Sequence, residues 1–266
     1  MARSSDEHRR PPQDDPWWAD AWEIDFAATD GPAAEAGVGG FVRLALLPNQ
    51  GVAWWWTALL TPRLVAVRDH EVPLPRTGLE VRADGLWGDL VCETPLEHWS
   101  IGLEAFGIAY DDPADAWGDE WGERLPVGLD LEWEATAGPG DLLPAGPAPG
   151  GPGAIGYAQP GRVHGEILVG PTDRIAFNGT GFRSRASGVL DWWSAPLQRR
   201  LTWIGGQGQV GAGDPETVDR TVLGLAPVLV TAPAKRAVRL ARALCRVEGR
   251  DGGLGWAEGL DAAGSA

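Results

Sequence analysis

The feature that most constrains this fold is an apolar period of two residues. In the segment VGLDLEWEA, the apolar residues Leu129, Leu131 and Trp133 alternate with acidic residues. Successive side chains of a β-strand point to opposite faces, whereas a helix repeats about every 3.6 residues. The segment HWSIGLEAFG alternates in the same way. The sequence therefore predicts half-buried strands in antiparallel sheets.

Other segments carry strand and turn patterns. Asp84-Gly85 separates two strand-like runs and predicts a tight hairpin turn in which both residues have positive φ. Residues 234–248 fit either a helix, because their apolar residues recur at helical spacing between arginines, or a long bent strand. The other predicted strands are 41–47, 52–60, 64–68, 163–169, 174–177, 221–230 and 254–258.

A segment of unusual composition predicts a division of the chain. Residues 137–154 are dominated by Gly, Pro and Ala, which hold neither a helix nor a sheet ladder. We expect an all-β fold of two consecutive antiparallel barrels or sandwiches packed together, because closure removes exposed sheet edges. The predicted parts are a flexible polar tail over 1–16, an N-terminal β domain over 17–137, a Gly/Pro-rich linker over 138–153 and a C-terminal β domain over 154–266.

Charge and apolar content restrict the partners. The net charge is −15, and so acidic a surface repels phosphate backbones, which argues against nucleic acid and anionic membranes. We find no apolar run long enough to span a bilayer and no signal-like region at residues 1–18, so we expect a soluble cytoplasmic protein. Cys92 and Cys245 are far apart and are expected to be free thiols. The sequence does not determine the oligomeric state.

The sequence predicts no cofactor and no metal ion. The glycine pattern at 206–211 matches a dinucleotide-binding loop, but no helix start follows it, so we interpret it as an ordinary loop. His70, His98 and His164 are widely separated and do not form a metal-ligand motif.

Acid–base candidates remain, together with an unusual number of tryptophans. Asp191, His98, His164 and Tyr110 could transfer protons if they face a cavity, although each is also common as an ordinary hydrogen-bonded polar residue. The chain has 15 Trp against 2 Tyr and 5 Phe. Indoles suit both thick β cores and pockets for bulky apolar ligands.

Residues 157–193, YAQPGRVHGEILVGPTDRIAFNGTGFRSRASGVLDWW, resemble the second barrel of two-domain lipocalin-like proteins. That group includes the carotenoid 1,2-hydratases (hydroxyneurosporene synthases), some Diels–Alder cyclases and many actinobacterial members. The segments VEGRDGGLGWAEG and NQGVAWWW are also similar to this group. The resemblance implies two lipocalin-like barrels and a cavity for an apolar molecule.

The group's motif is only partly kept in this chain. In the group it reads Gly-x-Gly-x-Arg-Asp-His-Ser-Trp-Gly, followed by x-Arg-Asp-Trp. The matching residues are Gly179, Gly181, Arg183, Gly188, Asp191 and Trp192. The differing residues are Ser184, Arg185, Ala186, Ser187 and Leu190, in place of Asp, His, Ser, Trp and a second Arg. The chain therefore lacks the Asp–His pair that would serve hydration.

The resemblance favours binding of a hydrophobic small metabolite, isoprenoid- or polyketide-like, in a β-barrel cavity. Two alternatives stay open: a cofactor-independent hydratase, isomerase or cyclase that orients such a substrate, and a non-catalytic scaffold with filled barrels. An enzyme would use Asp191, His98 or His164. The expected ligand-binding residues are Trp99, Tyr110, Glu166, Arg183, Arg185 and Trp192.

Overall fold

The computed structural model of the chain describes residues 2–118, 122–141, 150–189, 200–205, 210–231, 238–249 and 252–259. Side chains are described for all of these except 141, 150–155, 200 and 238. The described residues contain three short helical turns, namely the 3-10 helices Ser4–Glu7 and Pro113–Trp117 and the α-helix α1 (Gly31–Glu35). The strands are β1 (Trp18–Ala28), β2 (Gly39–Leu47), β3 (Val52–Leu60), β4 (Leu64–Pro73), β5 (Val81–Ala83), β6 (Leu86–Thr94), β7 (His98–Tyr110), β8 (Glu123–Ala135), β9 (Gly140–Asp141), β10 (Gly150–Val169), β11 (Asp173–Val189), β12 (Arg200–Gly205), β13 (Val210–Gly213), β14 (Arg220–Val230), β15 (Val238–Val247) and β16 (Gly253–Glu258).

The larger sheet closes on itself. Its strands follow the order β4-β3-β2-β1-β11-β10-β8-β7-β6-β5, and an additional pairing joins β4 to β7. That pairing, which includes Leu64 opposite Tyr110, completes a ring of eight antiparallel strands. The ring contains β1, β2, β3, β4, β7, β8, β10 and β11. The predicted all-β, antiparallel, barrel-like fold is confirmed.

The interior of this barrel is filled with apolar side chains. Each strand contributes alternate residues, as the two-residue period predicts. Four of the largest buried side chains of the barrel core are Trp22, Trp55, Trp99 and Trp133. Each indole removes about 150–250 Å² from water, so these rings account for a large part of the burial that stabilises the barrel.

A second sheet packs against the outside of the barrel. Its order is β13-β12-β16-β15-β14. Apolar side chains on the outer faces of β1, β2 and β3 form a cluster with those of β14, β15 and β16. Phe41 of β2 and Trp256 of β16 meet there edge to face, with ring centroids 5.7 Å apart.

Buried charges also join the two sheets. Arg242 of β15 is 3% exposed and contacts Asp25 at 2.7 Å and Glu23 at 3.0 Å, both on the outer face of β1. Its guanidinium lies over the Phe41 ring at 4.2 Å. Although burial opposes its charge, the neighbouring carboxylates of Asp25, Glu23 and Glu258 raise the pKa of Arg242. The arginine therefore stays charged between the sheets.

Strand pairing crosses the predicted linker. β10 begins inside residues 138–153 and β11 follows them, yet these strands pair with β8 and β1 and belong to the barrel. The physical reason is that β1 and β8 each have an edge that needs a partner, and long strands satisfy both edges. The division into domains at this linker remains a prediction, and residues 142–149 lie outside the described residues.

The predicted flexible tail lies against the barrel along residues 2–16. Glu7 in this segment is 3% exposed. A charged side chain stays buried only with a partner, and that partner is Arg183 in β11. This ion pair attaches the segment to β11 at Glu7, and flexibility of residues 1–16 remains a prediction.

Most local predictions agree with the structure. β3 spans the predicted residues 52–60, and residues 238–247 form the strand β15 rather than a helix. Asp84-Gly85 joins β5 to β6, but only Gly85 of the two has positive φ, at 73°. No helix among the described residues is long and apolar enough to cross a membrane.

Candidate functional site

Residues 183–187 line one end of the barrel. We call this end the barrel mouth; it is where β1 begins, β11 ends and β8 ends. Because side chains alternate along β11, Arg183 and Arg185 point inward, opposite Ile24 and Trp22 of β1. Both arginines are 0% exposed. A strand that places two charges inside a barrel must find counter-charges there.

Glycines let β1 approach β11 closely just before this pair. A Cβ atom on Gly181 would lie 2.0 Å from the carbonyl oxygen of Asp25, and one on Gly179 would lie 2.1 Å from that of Ala27. Neither contact is sterically possible, so both positions require glycine. These two glycines of the motif therefore set the strand spacing beside the buried arginines.

Arg183 is bound by a carboxylate from the start of the chain. Its Nη1 and Nη2 atoms donate to the Glu7 Oε2 and Oε1 atoms at 2.8 and 2.7 Å. Nη2 also donates to Gln159 Oε1 at 2.9 Å. Two parallel charge-assisted bonds of this kind are among the strongest that a protein forms. Three rings surround the guanidinium at 5.1–5.4 Å from their centroids, and they belong to Trp99, Trp133 and Tyr157.

Arg185 has its own carboxylate. Its Nη2 lies 2.6 Å from Asp20 Oδ1, and its guanidinium stacks over the Trp22 ring at 3.8 Å. Burial lowers the pKa of Arg185, and Asp20 opposes that shift. Burial raises the pKa of Asp20, and Arg185 opposes it. Since their ordinary pKa values differ by about nine units, the pair stays ionised.

The residues that cover the mouth form a defined segment. We call residues 2–10 the N-terminal segment. The Arg10 amide donates to Asp20 Oδ2 at 2.8 Å, Arg9 Nη1 donates to the Pro75 carbonyl at 2.9 Å, and Arg185 Nη2 donates to the His8 carbonyl at 3.1 Å. These bonds attach the segment to β1, to the β4–β5 connection and to β11.

A strained turn between β6 and β7 completes the binding of Glu7. Leu96 has φ +64°, and no other non-glycine among the described residues has positive φ. Its amide donates to Glu7 Oε1 at 3.1 Å, and its carbonyl accepts from Gln159 Nε2 at 2.8 Å. A bulky residue in this conformation costs about 1–2 kcal/mol. The strained turn aims both peptide groups at the buried carboxylate and its neighbour.

A pocket opens beside Glu7. Its volume is about 710 Å³, within the range of small-molecule sites. Trp22, Trp99, Leu79 and Leu90 form its apolar walls, and the N-terminal segment forms one side through Glu7, His8 and Arg9.

The groups around the pocket include donors that lack acceptors. The indole nitrogens of Trp22, Trp99 and Trp133 are buried and have no hydrogen-bond partner among the described residues. A buried donor without an acceptor costs roughly 1–3 kcal/mol. Of these three rings, those of Trp22 and Trp99 line the pocket. Burial and the nearby Glu7 raise the pKa of the Cys92 thiol to about 11, so this wall residue is a neutral thiol.

The predicted site residues fall in different places. Trp99, Arg183 and Arg185 meet at the mouth. Tyr110 is buried in the cluster that joins the two sheets. Three residues lie on the outer surface and contact charged partners there: His98 lies 2.6 Å from Glu132, His164 lies 3.8 Å from Glu134, and Glu166 pairs with Arg174 at 2.8 Å. Asp191 and Trp192 lie outside the described residues.

Sequence reasoning missed Glu7, Asp20, Gln159 and Tyr157. The available signal was indirect, since two arginines at inward positions of a strand require two carboxylates. The described residues contain no group of three or more His, Cys, Asp or Glu side chains arranged to hold a metal ion.

Comparisons with known proteins give a family and a fold. The family model described as "Domain of unknown function (DUF7064)" matches residues 3–209, which include Glu7, Arg183 and Arg185. The crystal structure of a putative AttH from Nitrosomonas europaea is similar, with a TM-score of 0.53 and 11% identity over 91% of this chain and 92% of that chain. Likeness at this identity shows the fold alone. No curated protein matches the chain.

Proposed function

The chain belongs to the DUF7064 family, and we propose that it binds a hydrophobic small molecule in the pocket at the barrel mouth. The family description carries no activity, so the proposal comes from the site. The sequence resemblance to lipocalin-like proteins supports an isoprenoid- or polyketide-like ligand.

The carrying observation is a pocket of about 710 Å³ in which apolar side chains form part of the wall and charged side chains, including Arg76, Glu80 and Asp89, form another part. The barrel below it is packed with side chains, which directs a ligand to the mouth rather than to the barrel centre. The walls formed by Trp22, Trp99, Leu79 and Leu90 would bury the apolar part of the ligand.

A fluorescence titration tests this proposal. Farnesol and 1-dodecanol, two neutral probes with one polar end, should quench or shift the tryptophan emission of the protein because Trp22 and Trp99 line the pocket. Val91→Arg should weaken both ligands at least about tenfold, because Val91 lines the pocket and an inserted cation is poorly compatible with apolar burial.

Val222→Arg is the matched control. Val222 on β14 is 44% exposed and Val91 is 37% exposed, but Val222 does not line this pocket. Affinity in the control should stay within about twofold. Unchanged emission with both probes, or equal binding by the two variants, would rule out this pocket as the site. Mass spectrometry of gently purified protein tests separately for a co-purified ligand, and conversion of that ligand would instead support the enzymatic alternative.

A further inference from the structure

We propose that Arg183 is a binding site for the carboxylate of an apolar carboxylic acid, and that Glu7 occupies this site until a ligand replaces it. The inference rests on the proposed function, since it names the ligand class for the pocket beside Glu7. It also gives the N-terminal segment a role as an internal competitor.

The charge balance at the mouth selects an anion. Arg183 and Glu7 have side chains that are both 0% exposed, and Asp20 is already paired with Arg185. A neutral ligand that displaced Glu7 would leave a buried guanidinium without a counter-charge, which is strongly unfavourable. A ligand carboxylate would restore the same net charge and the same two-oxygen geometry.

The groups that face Glu7 are mostly donors. Its carboxylate accepts from Arg183 and from the Leu96 amide. The indole nitrogens of Trp99 and Trp133, whose rings flank the same guanidinium, have no acceptor among the described residues. A ligand carboxylate in the place of Glu7 could accept from Arg183 and from the Leu96 amide with the same two oxygens.

The N-terminal segment can leave without exposing a core. Within residues 2–10, Glu7 alone is buried. The segment is otherwise held to the barrel by polar contacts, including those of Arg9 to Pro75, of the Arg10 amide to Asp20 and of Arg185 to the His8 carbonyl. Segments with few buried apolar contacts open locally at low cost.

The pocket supplies space for the apolar part of the acid. Glu7 lines the pocket and contacts Arg183, so it lies between the two. A carboxylate entering along this line would reach Arg183 while its chain contacts Leu79 and Leu90.

The test compares dodecanoate with 1-dodecanol on Glu7→Gln in the full chain. Glutamine keeps the shape of glutamate but cannot neutralise Arg183. While Glu7 occupies the site, the apparent affinity for the acid is reduced by the fraction of molecules in which Glu7 has left it. Removing this competitor raises the apparent affinity by the inverse of that fraction. Dodecanoate should therefore bind the variant at least about tenfold more tightly than it binds wild type, and 1-dodecanol should change less than about twofold.

Glu123→Gln is the matched control, because Glu123 pairs with Arg63 at the surface, at 2.6 Å and 64% exposure. It should leave both affinities unchanged. Arg183→Gln should remove the preference for the acid over the alcohol. If Glu7→Gln folds and its affinity for dodecanoate equals that of wild type while 1-dodecanol binds both, the carboxylate site is refuted and the proposed function stands. If neither probe binds wild type or variant, both proposals fail.

Hydrogen exchange on wild type gives an answer that does not depend on the variants folding. Saturating dodecanoate should speed amide exchange in residues 2–10, because Glu7 leaves the mouth. Saturating 1-dodecanol should not. If residues 2–10 are equally protected from amide exchange with bound dodecanoate and with bound 1-dodecanol, the proposal that the acid replaces Glu7 is wrong.

Discussion

Replacing Arg242 by methionine tests the charge cluster between the two sheets. The side chain of Arg242 is 4% exposed, and those of Asp25 and Glu23 are 3% and 8% exposed. Methionine preserves most of the packing against Phe41 but removes the charge that both carboxylates contact. Arg43 remains beside Glu23 at 3.2 Å, so Asp25 bears the larger loss.

The magnitude follows from burial. Breaking a buried pair by removing one partner costs about 3–5 kcal/mol, because a desolvated charge is left behind. That loss is a large fraction of the roughly 5–15 kcal/mol by which a typical domain is stable. We therefore expect the free energy of unfolding to fall by about 3–5 kcal/mol at pH 7.

Urea unfolding followed by tryptophan fluorescence measures this change, since Trp256 lies against the same cluster. Arg246→Met is the control, because Arg246 lies on the same strand but is exposed, and it should change stability by less than about 0.5 kcal/mol. Adding Asp25→Asn to Arg242→Met should recover part of the loss. A loss below about 1 kcal/mol in Arg242→Met, with the control unaffected, would show that the cluster is not desolvated.

Three further predictions concern single residues. Burial, and to a smaller extent the charge of Arg68, lowers the pKa of His70 to about 3. The neutral imidazole therefore stabilises the folded state fully above pH 6.5, and this contribution is lost as the pH falls towards 3. The urea midpoints measured at pH 7 and pH 4 should differ less in His70→Gln than in wild type. Gly161→Ala would place a Cβ atom 2.3 Å from the Trp133 ring. It should lower the melting temperature, with a loss of about 1–3 kcal/mol in the free energy of unfolding. In the control Gly138→Ala the added Cβ atom has no neighbour within 4 Å, and the melting temperature should not fall. Leu96→Gly should leave stability unchanged or raise it by up to about 1 kcal/mol in the same melts, and a clear loss would contradict strain at its φ of 64°.

The barrel was predictable because its signal is local. Alternation along β7 and β8 placed Trp99 and Trp133 on the inner face, as observed. The same alternation also excludes His98 from the interior, since it precedes Trp99 and must point outward. The same rule places His164 and Glu166 on the outer face, since they alternate with the inward-facing Val163 and Ile167.

The mouth was not predictable because its partners are remote. Glu7 and Arg183 are separated by 176 positions in sequence, and Glu7 sits in a polar segment with no period of its own. Strand alternation indicates that Arg183 is buried, but it cannot choose which of many carboxylates pairs with it. Residues 234–248 were ambiguous for a related reason: Arg242 looks like part of a solvated stripe until its partners on β1 are known.

The pairing of β1 with β11 has a consequence for synthesis of the chain on the ribosome. β1 can pair with β2 soon after both are synthesised, but its other edge stays unpaired until β11 (Asp173–Val189) is synthesised. At typical elongation rates this delay is roughly 10–30 s. An unpaired strand edge invites association with other nascent chains, and charged residues are a common protection. β1 carries Asp20, Glu23 and Asp25, so the acids that later bind buried arginines could first keep the waiting strand apart from its neighbours.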